Sequence, residues 1–252
     1  MKKVLLILML LPVMLSAQTN ESDSIKLQAS LSLTGFLQGG NVQTLIFRAN
    51  SDVTYKPSDK LVFKTKNSYV YQEFGQSKAD EDILSLNFLY FNPEKKFYPL
   101  MLGFISTNFR RKINLRSLIG AGFTYQVFKS KGSWLKFSVT SEYEQTEFQS
   151  STFNRPEFNG SESINTFRGT IWINGKYQLF DKKLILSHES YYQPSLERSG
   201  NYRWQADLSL ELPLTKRFNF KVNYVHTFES IVIVDQMQRD NMLTFGFTMK
   251  NF

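Results

Sequence analysis

From about residue 26 to the end of the chain, apolar and polar residues alternate with a period of two. In Phe218-Asn219-Phe220-Lys221-Val222-Asn223-Tyr224 the odd and even positions belong to different chemical worlds. Such a period puts Phe218, Phe220, Val222 and Tyr224 on one face of a strand and Asn219, Lys221 and Asn223 on the other. The pattern recurs through a dozen segments while mean hydropathy stays at -0.29. An isolated strand cannot satisfy its edges, so the pattern predicts a sheet closed into a tube with one apolar and one wet wall.

Parity decides which wall faces where. The polar parity carries nine basic groups (Lys26, Arg48, Lys64, Lys66, Lys136, Arg168, Lys176, Arg203 and Lys221). It also carries six acids: Asp52, Glu142, Glu144, Asp207, Glu211 and Glu229. An Arg or Lys facing lipid at mid-bilayer costs about 2–4 kcal/mol. So many charges on one side must face a lumen, and the apolar parity must face lipid. Lipid-facing expectations include Leu84, Leu86, Phe88 and Tyr90, then Leu100, Leu102 and Phe104, and Leu135, Phe137 and Val139. Leu208, Leu210 and Leu212 follow, with Leu243, Phe245, Phe247 and Met249. Aromatics make up 15% of the chain. Tyr55, Tyr90, Tyr98, Tyr125 and Tyr177 read as one interfacial girdle; Tyr71, Tyr143, Tyr192 and Tyr202 read as the other.

Connection lengths give the orientation. Short connections at 56–60, 92–95, 129–132, 180–183 and 214–217 alternate with longer polar ones at 38–44, 73–82, 108–115, 149–162, 193–200 and 230–239. Short turns on the periplasmic rim and long loops outside is the outer-membrane arrangement. The intervening strands are predicted at about 26–36, 44–55, 61–72, 82–91, 97–107, 116–128, 134–148, 163–178, 184–193, 201–213, 218–229 and 241–252. The fold class is therefore all-β, a transmembrane antiparallel up-and-down β-barrel of about 12 strands.

Lys2-Lys3, the apolar run Val4 to Leu15 and Ser16-Ala17 have the layout of a secretory signal peptide, residues 1–17. Residues 18–252 then form a single barrel domain. The chain has no Cys, which excludes disulfides, thiolate metal sites and a lipidated N-terminal Cys. Its net charge of +8 is spread without a basic run, so nucleic acid is not an expected partner.

Leu31-Ser32-Leu33-Thr34-Gly35 with Gly39-Gly40-Asn41-Val42, and Arg110-Arg111 followed by Leu118-Ile119-Gly120-Ala121-Gly122-Phe123-Thr124-Tyr125, resemble an outer-membrane family. It is a domain-of-unknown-function group that includes the salt-stress-induced outer-membrane protein of enteric bacteria. The resemblance implies the barrel fold, the bacterial outer membrane and a role in envelope or salt stress. It implies no chemistry. Phe252 departs from the parity of Leu243, Phe245 and Phe247, which a bulge near Lys250 would reconcile.

Catalytic residues are not evident. The only histidines are His188 and His226. His188 shares a face with Ser190, but no orienting acid accompanies them, and His226 lies two strands away. Glu142 and Glu144 share a face without a His or third carboxylate at ligand spacing, so neither a metal nor another cofactor is expected. The lumen charges Arg48, Lys64, Lys66, Glu142, Glu144, Arg168, Lys176, Arg203, Asp207 and Lys221 are the candidate site. Strand pairing sets Arg168 opposite Glu142 and Lys221 beside Asp207 and Ser209, which reads as bracing. The same cations read alternatively as the lining of a channel for small solutes with mild anion preference. Gly120 and Gly122 point inward and relieve crowding. The loop Arg155–Gly160 reads as exposed. Three functional readings stay open: a sealed non-enzymatic barrel, a small diffusion channel, and a lipid-modifying enzyme. Expected partners are outer-membrane lipid, lipopolysaccharide and the outer-membrane assembly machinery.

Overall fold

The computed structural model describes residues 20–40, 43–130, 132–215 and 217–250. The leader at 1–17 and the terminal Phe252 lie outside the described residues. Twelve antiparallel strands close on themselves: β1 (Leu27–Gln38), β2 (Thr44–Ser58), β3 (Leu61–Phe74), β4 (Ser77–Phe91), β5 (Phe97–Asn108) and β6 (Ile113–Ser130). They continue with β7 (Ser133–Phe148), β8 (Ser163–Leu179), β9 (Leu184–Pro194), β10 (Tyr202–Pro213), β11 (Phe218–Glu229) and β12 (Arg239–Lys250). Each pairs with its sequence neighbours, and β1 pairs with β12 from Ser30↔Lys250 to Gly35↔Phe245. All twelve predicted strands are present, most within three residues of their expected ends. Closure leaves no free edge, which is what lets β-structure cross a bilayer.

One connection differs from expectation. The stretch 73–82 is mostly strand, because β3 and β4 run on to a two-residue turn at Gly75-Gln76. Both turn residues have positive φ, 56° and 64°, the conformation whose twist suits a tight hairpin. Alternation therefore extends farther than the polarity of Glu73, Lys78 and Asp80 suggested.

Most of the outer wall obeys parity. Phe137, Val139, Leu208, Leu210, Leu212, Leu243, Phe245 and Phe247 are exposed on the outside. Two strands overturn the assignment. On β4 and β5 the residues expected to face lipid point inward: Leu86, Phe88, Tyr90, Leu100 and Leu102 are buried, with Leu84 and Phe104 packed on them. Their outward neighbours are Ile83, Met101 and Ile105. On β5 both faces are apolar, and on β4 the contrast misleads, because Ser85 and Asn87 share the outward parity with Ile83 and Leu89 and Asn87 hydrogen-bonds Ser85 there. Register chooses instead: Phe88 and Leu86 pair directly with the inward Lys64 and Lys66, and paired residues share a face. Tyr90 and Tyr98 leave the girdle for the same reason and are buried. The lumen thus has an apolar wall contributed by β3 to β6 and Trp172 of β8, facing charged strands across the tube.

The loop between β7 and β8 is not simply exposed. A single turn of 3-10 helix, Pro156–Phe158, buries Phe158 with Phe148, Phe153, Ile164, Ile231 and Ile233. Phe153 bridges to Ile233, and Asn154 exchanges backbone and side-chain hydrogen bonds with Val232. The β7–β8 and β11–β12 loops are thereby strapped together at the outer rim.

Candidate functional site

The lumen holds three layers of charge. At the periplasmic end the segment Asn20-Glu21-Ser22 is buried inside the tube. Glu21 accepts from Lys136 Nζ at 2.7 Å, Lys64 Nζ at 3.4 Å and the Tyr98 hydroxyl at 2.9 Å. Lys136 also donates to Asn20 Oδ1 at 2.6 Å, and Gln28 exchanges hydrogen bonds with the Asn20 backbone. Burial by itself would raise the Glu21 carboxyl, but the nearby Lys136 and Lys64 ammonium groups outweigh it and hold the group well below the usual carboxylate range. Peptide and side chains thus meet inside this end of the tube.

In the middle, Lys66 pairs with Glu189, and Arg48 reaches Asp207 at 3.6 Å and Asn223 Oδ1 at 2.8 Å. Here the charges face the apolar wall. A cavity of about 150 Å³ lies between them, lined on one side by Leu86, Leu102, Phe104 and Leu118 and on the other by Arg48, Lys66, Glu189 and Asp207. A second lobe of about 150 Å³ continues toward the outer rim and shares Arg48, Phe104, Tyr191 and Arg203 with the first. Below, beside Lys64, Phe88 and Tyr90, a separate void measures only about 10 Å³, room for one water.

Toward the outer rim the ion pairs form one connected chain. It runs from Asp80 to Arg110 (2.8 Å), to Asp240 (3.1 Å), to Arg111 (3.1 Å) and to Glu229 (3.4 Å). Arg116 grips both Glu229 oxygens at 2.7 Å and approaches Glu144 at 3.9 Å. Glu144 then accepts from Arg168 at 2.9 Å and from Arg203. Strands β4, β6, β7, β8, β10, β11 and β12 and the β5–β6 turn are tied across the lumen by this chain.

All ten candidate lumen residues lie on the inward parity. Arg48, Lys64, Lys66, Glu144, Arg168, Arg203 and Asp207 are drawn into these pairs; Lys176 is buried and Lys221 lines the middle cavity. Arg168 sits opposite Glu142 in register, yet its guanidinium bonds Glu144, while Glu142 accepts from Thr140 and Thr170. The register partner of Lys221 is Glu211, not Asp207 or Ser209, which face Val225 and Asn223. Lys26 precedes β1 and is exposed. A Cβ on Gly122 would stand 2.0 Å from the Val139 carbonyl oxygen, and one on Gly120 2.4 Å from that of Ser141, so both glycines do relieve crowding.

Sequence reasoning missed Glu21, Asp80, Arg110, Arg111, Arg116, Glu189 and Asp240. Arg116 and Glu189 had a usable signal, since they share parity with Gly120 and with the inward Tyr191. Glu21, Arg110 and Arg111 lie outside strands, where no period applies.

His188 and His226 face outward. The His188 ring stacks on Tyr177 and lies 3.2 Å from its hydroxyl; His226 stacks on Trp204 and contacts Asn241 Oδ1 at 2.6 Å. Among the described residues no cluster of three or more His, Asp and Glu has metal-binding geometry.

The family model described as protein of unknown function DUF481 matches residues 32–250. The chain belongs to that family. No curated protein matches it. Among solved structures, a NanC porin is similar over 88% of this chain and 100% of that one, at 7% identity and a TM-score of 0.54. The translocator domain of the autotransporter NalP from Neisseria meningitidis covers 91% of this chain and 90% of its own, at 12% identity and a TM-score of 0.46. OmpT of Vibrio cholerae is similar over 90% and 98%, at 11% identity and a TM-score of 0.42. At such identities the NanC likeness establishes fold. This DUF481 member, with its apolar outer belt and closed strand ladder, is a barrel of the bacterial outer membrane.

Proposed function

We propose that the protein is a non-enzymatic outer-membrane barrel whose resting lumen is sealed. The observation that carries this reading is the buried Asn20-Glu21-Ser22 plug, held by two lysines and a tyrosine from three different strands. The chain of paired charges supports it, because cations already matched by carboxylates attract mobile anions weakly. Two outward histidines, two strands apart and each against an aromatic ring, support the absence of catalysis. The envelope and salt-stress role rests on the family resemblance, and lipid, lipopolysaccharide and the assembly machinery remain the proposed partners of the outer surface.

Planar-bilayer recording of refolded protein tests the sealed lumen. The expected trace is a closed baseline with rare openings; steady anion-selective conductance would overturn it. The diffusion-channel reading is favoured by one observation, the likeness to a NanC porin, and the same recording decides it.

A further inference from the structure

We propose that the lipid-facing side of β2, β3 and β4 is a docking surface for a second copy of this chain. The inference concerns the outer wall and does not depend on whether the lumen conducts.

Ser51, Asn67 and Ser85 are register neighbours, and each falls near the middle of its strand. Thr65 and Asn87 form the next row toward the periplasm. All five share the outward side with the exposed Phe63 and Ile83, so they face lipid at mid-bilayer depth. Above them Tyr69 and Tyr71 donate to Glu81 and Glu73 at the outer interface. The wall across β10 and β12 presents Leu208, Leu210, Leu243 and Phe245 instead.

Asn67 Nδ2 donates to Thr65 Oγ1 at 3.2 Å, and Asn87 Nδ2 donates to Ser85 Oγ at 3.1 Å. Among the described residues nothing donates to either amide oxygen, and the Ser51 hydroxyl has no partner. Acyl chains carry neither donor nor acceptor, so these groups go unmet against lipid. A protein surface satisfies them. Two copies in one outer membrane share an orientation, so a two-fold axis relating them runs along the membrane normal. Such an axis preserves depth, and the polar band of one copy meets the same band of the other. A carboxamide is donor and acceptor at once, which makes Asn67 complementary to its own counterpart.

Shape points the same way. Gly103 is the register neighbour of Asn87. Among the described strand glycines it is the one where an added Cβ would meet nothing within 4 Å, whereas Gly120, Gly122 and Gly246 press on backbone. The barrel itself does not need glycine there, and the missing side chain leaves a dent beside the amide. Ala49, Ser51 and Gly103 keep the centre of the face low between the exposed Phe47, Phe63 and Ile105, which flattens a convex wall. From β1 to β5 the face is roughly 19 Å wide at ~4.8 Å per strand spacing and about 25 Å tall. Counted on both copies it buries on the order of 1,000 Å², about what a specific interface needs.

Single-molecule photobleaching of the refolded full-length protein in liposomes, over a series of protein-to-lipid ratios, tests this. Leu196→Cys, exposed in the β9–β10 loop on the wall opposite β3, carries the dye, and no native Cys competes. Two-step traces that give way to one-step traces on dilution are expected. Asn67→Leu combined with Asn87→Leu should raise the dissociation constant at least tenfold. Leucine suits lipid, so that variant should fold as well as the parent by heat-modifiable gel mobility, which a purely structural role for the amides would not allow. Gly103→Leu fills the dent without touching an amide and should weaken pairing similarly. Under a lipid-soluble oxidant, Thr65→Cys should form an intermolecular disulfide and Ile173→Cys on β8 should not. One-step traces at every ratio would leave the face to a different protein and overturn the proposal. An unchanged dissociation constant in either leucine variant, or disulfide formation at Ile173→Cys in preference to Thr65→Cys, would overturn it too.

Discussion

Replacing Glu21 by Gln tests what holds the periplasmic plug. The substitution keeps the shape of the side chain and an acceptor for Tyr98, but removes the charge facing Lys136 at 2.7 Å and Lys64 at 3.4 Å. Removing one partner of a buried ion pair typically costs 3–5 kcal/mol, because the other charge is left uncompensated. Lys136 retains Asn20 Oδ1 at 2.6 Å and Ser22 Oγ at 3.3 Å, and water entering a released lumen would rehydrate both lysines. The low end applies, about 3 kcal/mol, or roughly a hundredfold weaker docking at about 1.4 kcal/mol per decade. Two measurements read this. Planar-bilayer open probability should rise about a hundredfold. With no native Cys in the chain, the labelling rate of a Ser22→Cys reporter should rise in parallel. Labelling and conductance that both stay within about threefold of the parent would refute an electrostatic latch. The pH dependence has a definite sign. A carboxyl depressed in the docked state stabilises docking above the free value of 4.5 and loses that contribution as pH falls through the docked value. On the acid side, open probability should thus stay flat from neutral pH down to about pH 5 and rise only under stronger acid.

Glu144→Gln should remove the negative charge that Arg168, Arg203 and Arg116 share; a loss of about 3–5 kcal/mol in urea unfolding is expected, and a loss under about 1 kcal/mol would mean the chain of ion pairs is not bracing the barrel. Gly122→Ala forces a Cβ onto the Val139 carbonyl and should destabilise the β6–β7 hairpin by about 1–3 kcal/mol, seen as a lower folded fraction in vesicles. The faces of β5 are separable by fluorophores on Met101→Cys and Leu102→Cys. Met101 is 48% exposed and Leu102 3%, so a lipid-borne quencher should darken the first and spare the second; the opposite pattern would return the inner apolar wall to the membrane.

The path from residues to barrel was short because period-two alternation is a local property. Strands such as β7 and β11 contrast polar with apolar positions over most of their length, so each declares both its conformation and its facing. The candidate lumen residues were legible for the same reason: a charge on a spanning strand has only one affordable side. On β5 that contrast vanishes and on β4 it points to the wrong face, so Leu86, Phe88 and Leu102 could be assigned only by knowing that they pair with Lys66, Lys64 and Gly120.

By itself, then, the sequence determined the strand count, the order, the closed tube and most of its two walls, because sheet sterics and the cost of charge in lipid act residue by residue. Tertiary structure decided what fills the tube. Whether Glu21 enters the lumen and whether Arg168 meets Glu142 or Glu144 depend on side chains converging from strands far apart in the chain. Those distances are set only when β1 meets β12 and the barrel closes.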